Sequence, residues 1–165
     1  MIGLVFLLAF ILAPVYGALD EKYVATCNFY VGKDNQNIIE RCDSAIFSAD
    51  KNYDLAGPIE FVASDFCKNI STKHKSANMI AAVPRGNCSF DTKASVAYFA
   101  SYQGLIIINS DLDVFPMGGI AHVMQVPTVM VDSAFLRYKR RNTTLYGRIQ
   151  FGNAEESVIV IMGFR

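Results

Sequence analysis

Hydrophobic and polar positions follow different patterns in the two halves of the chain. In the first half, residues 23–31 are rich in aromatic and β-branched side chains and predict a strand, which ends in the polar run 32–37. Residues 45–47 predict a second short strand. Beyond them, polar stretches at 48–58 and 68–78, separated by a short apolar run, predict surface loops. The first half is therefore expected to consist of strands and loops.

The second half has the pattern of a βαβ unit. Residues 79–83 and 105–109 are apolar runs without alternation, as in parallel strands that are covered on both faces. Between them, residues 90–103 have the composition of a helix, which Gly104 is expected to end. This order predicts a mixed α/β domain with a right-handed crossover.

A looser version of the same pattern follows. Residues 126–131 predict a strand, and Asp132 and Ser133 can cap a short helix that runs to residue 141. Residues 144–151 then alternate between apolar and polar side chains, which predicts a final strand.

The turn Pro-Arg-Gly-Asn-Cys-Ser at 84–89 joins the first strand of the βαβ unit to its helix. Pro84 removes a backbone donor and so ends the strand, and Gly86 permits a positive φ. The side chain of Ser89 is expected to accept an amide hydrogen of the helix. Arg85 is expected to hold a neighbouring loop, with contact to a ligand as the alternative.

The two ends of the chain carry apolar runs of different kinds. Residues 1–13 are apolar and shorter than the roughly 20 residues that span a bilayer, and small residues follow them, which predicts a secretory signal peptide at 1–17. One domain is then expected at 18–157. The last residues, 158–165, are interpreted as the start of a transmembrane helix, with a closing strand as the alternative.

Four cysteines follow the predicted signal peptide, and in an oxidising compartment they are expected to form two disulfides. Three pairings are possible. Loop length alone favours Cys27–Cys42 and Cys67–Cys88, and the second bond would fasten the turn at 84–89 to a distant segment. A low-pKa Cys88 nucleophile at the start of the helix is the alternative. A zinc site is disfavoured because the chain has no C-x-x-C pair.

Three Asn-x-Ser/Thr sequons agree with export, because glycans are added in the compartment where disulfides form. Asn69 and Asn142 are the stronger candidates for glycosylation. Asn87 is the weakest, because disulfide formation at its neighbour Cys88 could hide it from the modifying enzyme.

The composition and motifs argue against several classes of function. Fifteen basic and fifteen acidic residues give no net charge, so the chain lacks the basic surface of a nucleic-acid-binding protein. The signature motifs of common hydrolases, metalloproteases, NTPases and dinucleotide enzymes are missing from the sequence. We therefore predict no catalytic residue, no metal ligand and no cofactor.

A ligand is expected beside the loop 110–119, which follows the carboxyl end of a predicted parallel strand, where open α/β sheets bind their ligands. The candidate residues of this loop are Asp111, Asp113, Phe115, Gly118 and Gly119.

The segments AAV, PRGNCSF, TKASVAYFASYQG, LIIIN and VPTVMVD occur in this order, and together they resemble a protease-associated (PA) domain. The resemblance implies a curved mixed sheet or open β-barrel with flanking helices around the βαβ unit. It also implies a non-catalytic module that binds a protein or peptide, or that recruits substrate for a partner catalytic domain.

Further segments, TCNFY, SDFCKNIS, FPMGG and RNTT, resemble the lumenal PA domain of signal peptide peptidase-like intramembrane aspartyl proteases. This resemblance implies a lumenal or extracellular location, or an endosomal-lysosomal or Golgi membrane for a longer parent protein. The Y-D and G-x-G-D catalytic motifs of that family have no counterpart here. The alternatives are a PA domain from a membrane RING ubiquitin ligase, a zinc peptidase or a secreted glycoprotein.

Overall fold

The computed structural model describes residues 24–31, 36–47, 53–68, 78–121, 124–139 and 144–152, with side chains from residue 40 to residue 150 within these ranges. The strands are β1 (Val24–Val31), β2 (Gln36–Glu40), β3 (Cys42–Ser44), β4 (Tyr53–Phe61), β5 (Ile80–Pro84), β6 (Gly104–Ile108), β7 (Thr128–Val131) and β8 (Leu145–Gly152). The helices are α1 (Phe90–Phe99) and α2 (Leu136–Lys139), and the 3-10 turn Ser133–Phe135 leads into α2.

The strands form one mixed sheet in the order β2-β1-β8-β4-β5-β6-β7-β3. Strands β4 to β7 are parallel to one another, and the remaining pairs are antiparallel. Strand β1 pairs with β8 from Val24 opposite Gly152 to Val31 opposite Leu145. Cα atoms of β3 lie within 8 Å of β1, so the sheet curls back on itself. The predicted fold class, a mixed α/β domain with a curved sheet and a central βαβ unit, is confirmed.

Two apolar clusters cover the parallel strands. On one face, the buried Ala94 and Ala97 of α1 belong to the same cluster as Leu105, and their small side chains let the helix approach the sheet closely. On the other face, Phe135 and Tyr138 pack with strand residues. Because β6 and β7 are buried on both sides, their sequences are apolar apart from Thr128, whose hydroxyl donates to the carbonyl of Val126. Each fully buried aliphatic side chain contributes about 1.5–3 kcal/mol to stability.

Most of the predicted elements are present with shifted ends. The strands predicted at 23–31, 79–83, 105–109, 126–131 and 144–151 correspond to β1, β5, β6, β7 and β8. The predicted cap is also present, because the carboxylate of Asp132 accepts a hydrogen bond of 2.8 Å from the amide of Ala134.

The strand predicted at 45–47 was wrong. The strand is Cys42–Ser44, and Ala45 makes only an isolated bridge to Met117. Ala45 and Phe47 are both buried, so their apolar pattern reflects packing in the core and not a strand. Strand β2 was missed because its polar sequence lies at the edge of the sheet, where polar residues are common.

The loop predicted over 48–58 was also wrong, because β4 begins at Tyr53. Gly57 and Pro58 suggest a turn, but both lie within the strand, where the absence of a Cβ at Gly57 lets Asn78 and Gln103 come close to its backbone. A Cβ atom at Gly57 would lie 2.3 Å from the carbonyl oxygen of Asn78 and 2.4 Å from Nε2 of Gln103. The side chain of Gln103 uses this space to donate hydrogen bonds to the carbonyls of Ala56 and Asn78.

Gly104 does not end α1, as the sequence had suggested. The helix stops at Phe99, and Ser101 takes a positive φ of 62° two residues later. Gly104 is the first residue of β6, where an added Cβ atom would lie 3.1 Å from Cδ1 of Leu55.

The predicted signal peptide, Cys27's side chain, Asn69, Asn142 and residues 158–165 fall outside what the structure describes. Among the described helices, neither the length nor the apolar character needed to cross a bilayer is found.

Candidate functional site

A cavity of about 230 Å³ lies at the carboxyl ends of the parallel strands. It collects residues from the end of β4, the end of β5, the end of β6 and the helix α2. The lining residues are Phe61, Val62, Ala63, Ala82, Pro84, Arg85, Ile108, Asn109, Ser110, Leu136 and Lys139. We call this cavity the carboxyl-edge groove. The groove lies at the carboxyl edge of the parallel strands, but none of the five residues predicted in the ligand loop lines it.

The carboxyl-edge groove is apolar with a basic rim. Most of its lining side chains are hydrocarbon, and Leu136 is 42% exposed to solvent. The ionisable residues that line the groove are Arg85 and Lys139, and both are basic. An occupant of matching chemistry has apolar side chains and a carboxylate.

Arg85 joins the turn after β5 to the loop after β6. Its backbone amide donates to the carbonyl of Ile108, at 2.9 Å, and its Nη1 donates to Oδ1 of Asn109, also at 2.9 Å. The guanidinium carbon lies 4.9 Å from the ring centroid of Phe115 and 6.0 Å from that of Phe90. The side chain is nevertheless exposed, so it both holds the loop and borders the groove.

Asn109 organises the loop from a buried position, 2% exposed. Its Oδ1 accepts hydrogen bonds from Arg85 and from the amide of Ser110, and its Nδ2 donates to the carbonyl of Asp113 at 2.7 Å. Its backbone amide donates to the carbonyl of Val131. Sequence reasoning assigned Asn109 no role. The available signal was a polar amide directly after an unbroken apolar strand.

The residues predicted in the ligand loop lie in several environments. Asp111 and Asp113 are exposed and contribute backbone carbonyls to hydrogen bonds. Phe115 packs against Arg85. A Cβ atom at Gly119 would lie 2.7 Å from Cδ1 of Phe47 and 3.1 Å from Cβ of Asp91, whereas one at Gly118 would meet nothing within 4 Å.

A disulfide between Cys67 and Cys88 fastens the segment after β4 to the turn before α1. This bond confirms the predicted pairing and excludes the free Cys88 nucleophile. Cys42 is also disulfide-bonded. The bond from Cys42 to Cys27 remains a prediction, because the side chain of Cys27 is not described.

The backbone of the turn agrees with the prediction at Gly86, which has a φ of 108°, and Asn87 also has a positive φ, of 67°. The prediction for Ser89 was wrong. Its hydroxyl makes no cap hydrogen bond to the helix backbone and pairs with the hydroxyl of Thr92 at 2.8 Å. The carbonyl of Ser89 accepts from the amide of Lys93.

Asp65 and Lys93 surround the disulfide. The carboxylate of Asp65 accepts from the side-chain amide of Asn87 at 2.9 Å and from the amide of Cys67 at 3.0 Å, and these two bonds lower its pKa. The side chain of Lys93 is fully buried, which lowers its pKa, while the charge of Asp65 acts in the opposite direction. Its Nζ donates to the carbonyl of Asp65 and lies 3.7 Å from Sγ of Cys67.

Within the described ranges, no group of three or more His, Cys, Asp or Glu side chains is placed to hold a metal ion. The carboxyl-edge groove brings apolar side chains and two basic ones together at one edge of the sheet.

Comparison with models of known protein families identifies the family to which the chain belongs. A model of the PA domain matches residues 42–137, which is more than half of the chain. The chain belongs to the PA domain family. The match includes both halves of the disulfide Cys67–Cys88, the βαβ unit and most of the residues that line the carboxyl-edge groove.

Solved structures share the fold of this PA domain. An aminopeptidase from Aneurinibacillus sp. strain AM-1 aligns with a TM-score of 0.60 at 17% identity, covering 79% of this chain and 32% of that chain. A peptidase M28 precursor from Shewanella amazonensis aligns with a TM-score of 0.57 at 13% identity, covering 78% and 34%. A subtilisin-like protease from Pseudoalteromonas sp. AS-11 aligns with a TM-score of 0.54 at 18% identity, covering 81% and 34%.

The PA domain therefore spans about a third of the length of these solved peptidases. At such low identity the alignments establish the fold alone. A search of curated proteins found no significant match.

Proposed function

We propose that this PA domain is a non-catalytic recognition module that binds an extended peptide segment of a partner protein in the carboxyl-edge groove. The groove itself is the observation that carries the proposal. Its apolar floor can hold apolar side chains, and Arg85 and Lys139 on the rim can pair with a carboxylate of the peptide. The exposed loop residues Asp111 and Asp113 would contact the flanks of the same peptide.

We further propose that the domain works in the secretory-pathway lumen or outside the cell. The disulfide Cys67–Cys88 supports this location, because such bonds persist in oxidising compartments. In this proposal residues 1–17 are a signal peptide, and Asn69 and Asn142 carry glycans. Asn87 stays unmodified, because its side-chain nitrogen already donates to Asp65 beside the disulfide.

The proposed parent is a signal peptide peptidase-like intramembrane aspartyl protease, for which this domain would recruit substrates. The sequence resemblance supports this parent. Coding sequence beyond Arg165 with several apolar spans and paired aspartates would support it. A membrane RING ubiquitin ligase, a zinc peptidase or a secreted glycoprotein is the alternative parent, and the same downstream sequence distinguishes them.

Selection from a library of random displayed peptides tests the recognition proposal. We expect enrichment of peptides that combine apolar residues with an acidic residue or a free carboxyl terminus. Lys139→Met should weaken their binding by about tenfold, the value of one lost charge-assisted contact. Lys68→Met removes an exposed lysine that is not among the groove-lining residues and should leave binding unchanged. Selected peptides that bind both variants equally well would contradict the proposal.

A further inference from the structure

Lys93 is a buried cation beside a disulfide sulfur. Its side chain is fully buried, its Nζ donates to the carbonyl of Asp65, and the same nitrogen lies 3.7 Å from Sγ of Cys67. A buried lysine has to be offset by partners that accept its hydrogen bonds. The carbonyl of Asp65 is one such partner, and Sγ of Cys67, at 3.7 Å from Nζ, is another.

The two sulfurs of the disulfide therefore differ in electrostatic environment. Sγ of Cys67 faces a full positive charge at short range in a poorly hydrated site, where charge interactions are strong. Sγ of Cys88 is bonded to Sγ of Cys67 and so also lies near the ammonium, but the described hydrogen bond from Lys93 is to Cys67 alone. Cys88 directly precedes Ser89, the cap of α1, where the helix terminus carries a partial charge of about half a unit. The direct contact with Lys93 favours a negative charge on Cys67, while the carboxylate of Asp65, which accepts from the amide of Cys67, acts against it. Both residues are half-buried, so a small thiol can reach the bond.

We propose that Cys67–Cys88 is an exchangeable disulfide in which an external thiolate attacks Cys88 and Lys93 stabilises the departing thiolate of Cys67. In this step the attacking sulfur forms a new S–S bond with Sγ of Cys88. The bond between Cys88 and Cys67 breaks, and its electron pair passes to Sγ of Cys67, beside the ammonium of Lys93. One disulfide replaces another, so the step needs no oxidant, and the reagent is a thiol such as reduced glutathione.

Exchange would release a strained segment. Phe66, directly before Cys67, is completely buried and has a positive φ of 57°, a conformation that a bulky side chain rarely adopts. Its neighbours at 61–63 line the carboxyl-edge groove, and the disulfide ties them to the opposite wall at Arg85. Breaking the bond would therefore loosen one wall of the groove. The exchange chemistry itself does not depend on what the groove binds.

Mapping of the mixed disulfide tests the proposal. The folded, secreted chain is exposed to reduced glutathione, quenched with acid, and digested so that the glutathione adduct can be located by mass spectrometry. We expect a several-fold excess of adduct on Cys88 over Cys67. Equal labelling of the two cysteines, or an excess on Cys67, would overturn the proposal.

Two further measurements separate charge from access. In Lys93→Met, which preserves length and removes the charge, the excess on Cys88 should disappear and exchange should slow. An unchanged excess in this variant would overturn the role of Lys93. If the variant does not fold, the wild-type chain is treated with the smaller 2-mercaptoethanol. If the excess on Cys88 persists, stabilisation of the departing Cys67 thiolate determines which sulfur is attacked. If the excess is lost, the larger glutathione had simply reached Cys88 more easily, and the proposal is overturned.

Discussion

Nη1 of Arg85 donates a hydrogen bond to Oδ1 of Asn109 across 2.9 Å, and this contact joins the turn after β5 to the loop after β6. The two residues are 24 positions apart in the sequence. Arg85 is exposed and Asn109 is buried, so the pair links the rim of the carboxyl-edge groove to its floor. The shape of the groove therefore depends on a buried amide as well as on a surface cation.

Asn109→Ala should lower the free energy of unfolding by about 1–3 kcal/mol, because it leaves the amide of Ser110 and the carbonyl of Asp113 without their partner. Urea unfolding followed by circular dichroism measures the change. Asp113→Ala is the matched control, since Asp113 contributes only its carbonyl and should unfold like the wild type. An unchanged midpoint for Asn109→Ala would contradict the assigned role.

Gly119→Ala should be clearly more damaging than Gly118→Ala. The new methyl group at Gly119 would lie 2.7 Å from Cδ1 of Phe47, whereas at Gly118 it would meet nothing within 4 Å. Overpacking of this kind costs about 1–3 kcal/mol, since buried Phe47 has little room to shift. Thermal unfolding of the two variants makes the comparison, and equal melting temperatures would show that the packing around Phe47 is misjudged.

Replacing Cys67 and Cys88 together by serine should lower the free energy of unfolding by about 2–5 kcal/mol and reduce the secreted yield. The bond closes a loop with a sequence separation of 21, which it constrains in the unfolded chain. Ser89→Ala, next to Cys88 in the sequence, serves as the control variant. Because the hydroxyl of Ser89 caps no helix amide, this variant should keep nearly full stability. Normal secretion of the double serine variant would argue against the structural role of the bond.

Asn87→Ala should lower the stability of the domain at neutral pH and make that stability less dependent on pH. The side-chain amide of Asn87 is the main cause of the lowered pKa of Asp65. Between the folded pKa and the unfolded value of about 4, the unfolded state binds more protons. The contribution of Asp65 is therefore complete above the unfolded pKa and is lost as the pH falls through the folded pKa.

Measurement of unfolding free energy from neutral pH down to about pH 2 should show a smaller acid-dependent loss in Asn87→Ala than in the wild type. The pKa of Asp65, followed by NMR, should rise toward its ordinary value. The pKa of Asp54, which a hydrogen bond from Arg148 lowers, should not change and serves as the internal control. A stationary pKa at Asp65 would contradict the assigned contact.

The parallel core of the sheet could be predicted because its signal is local. The strands β5, β6 and β7 are short, mostly apolar runs with turn residues near their ends, and runs of this length and pattern favour parallel strands covered on both faces. The pairing of Cys67 with Cys88 followed from loop length, which is also a property of the sequence. The strand β4 could not be predicted in the same way, because Gly57 looks like a turn residue in the sequence. This glycine is needed for close contact with the backbone of Asn78 and the side chain of Gln103, which are distant in the sequence.

The residues that shape the site were harder to predict because their partners are distant in the sequence. Lys93 looks like a solvated helix residue, yet it is buried against a carbonyl 28 positions away. Asn109 looks like the end of a strand, yet it holds two loops. A lysine within the apolar segment of α1 and an amide after an apolar strand were the available signals, and neither identifies its partner.

The pairing of β1 with β8 brings the two ends of the described fold together. Val24 lies opposite Gly152, and Phe151 lies opposite Tyr53, the first residue of β4. Val24 and Gly152, the two ends of the described fold, thus lie side by side at the amino end of β4, whereas the groove opens at the other end of that strand. The groove is therefore separated from these two residues by roughly 26 Å, the length of a nine-residue strand.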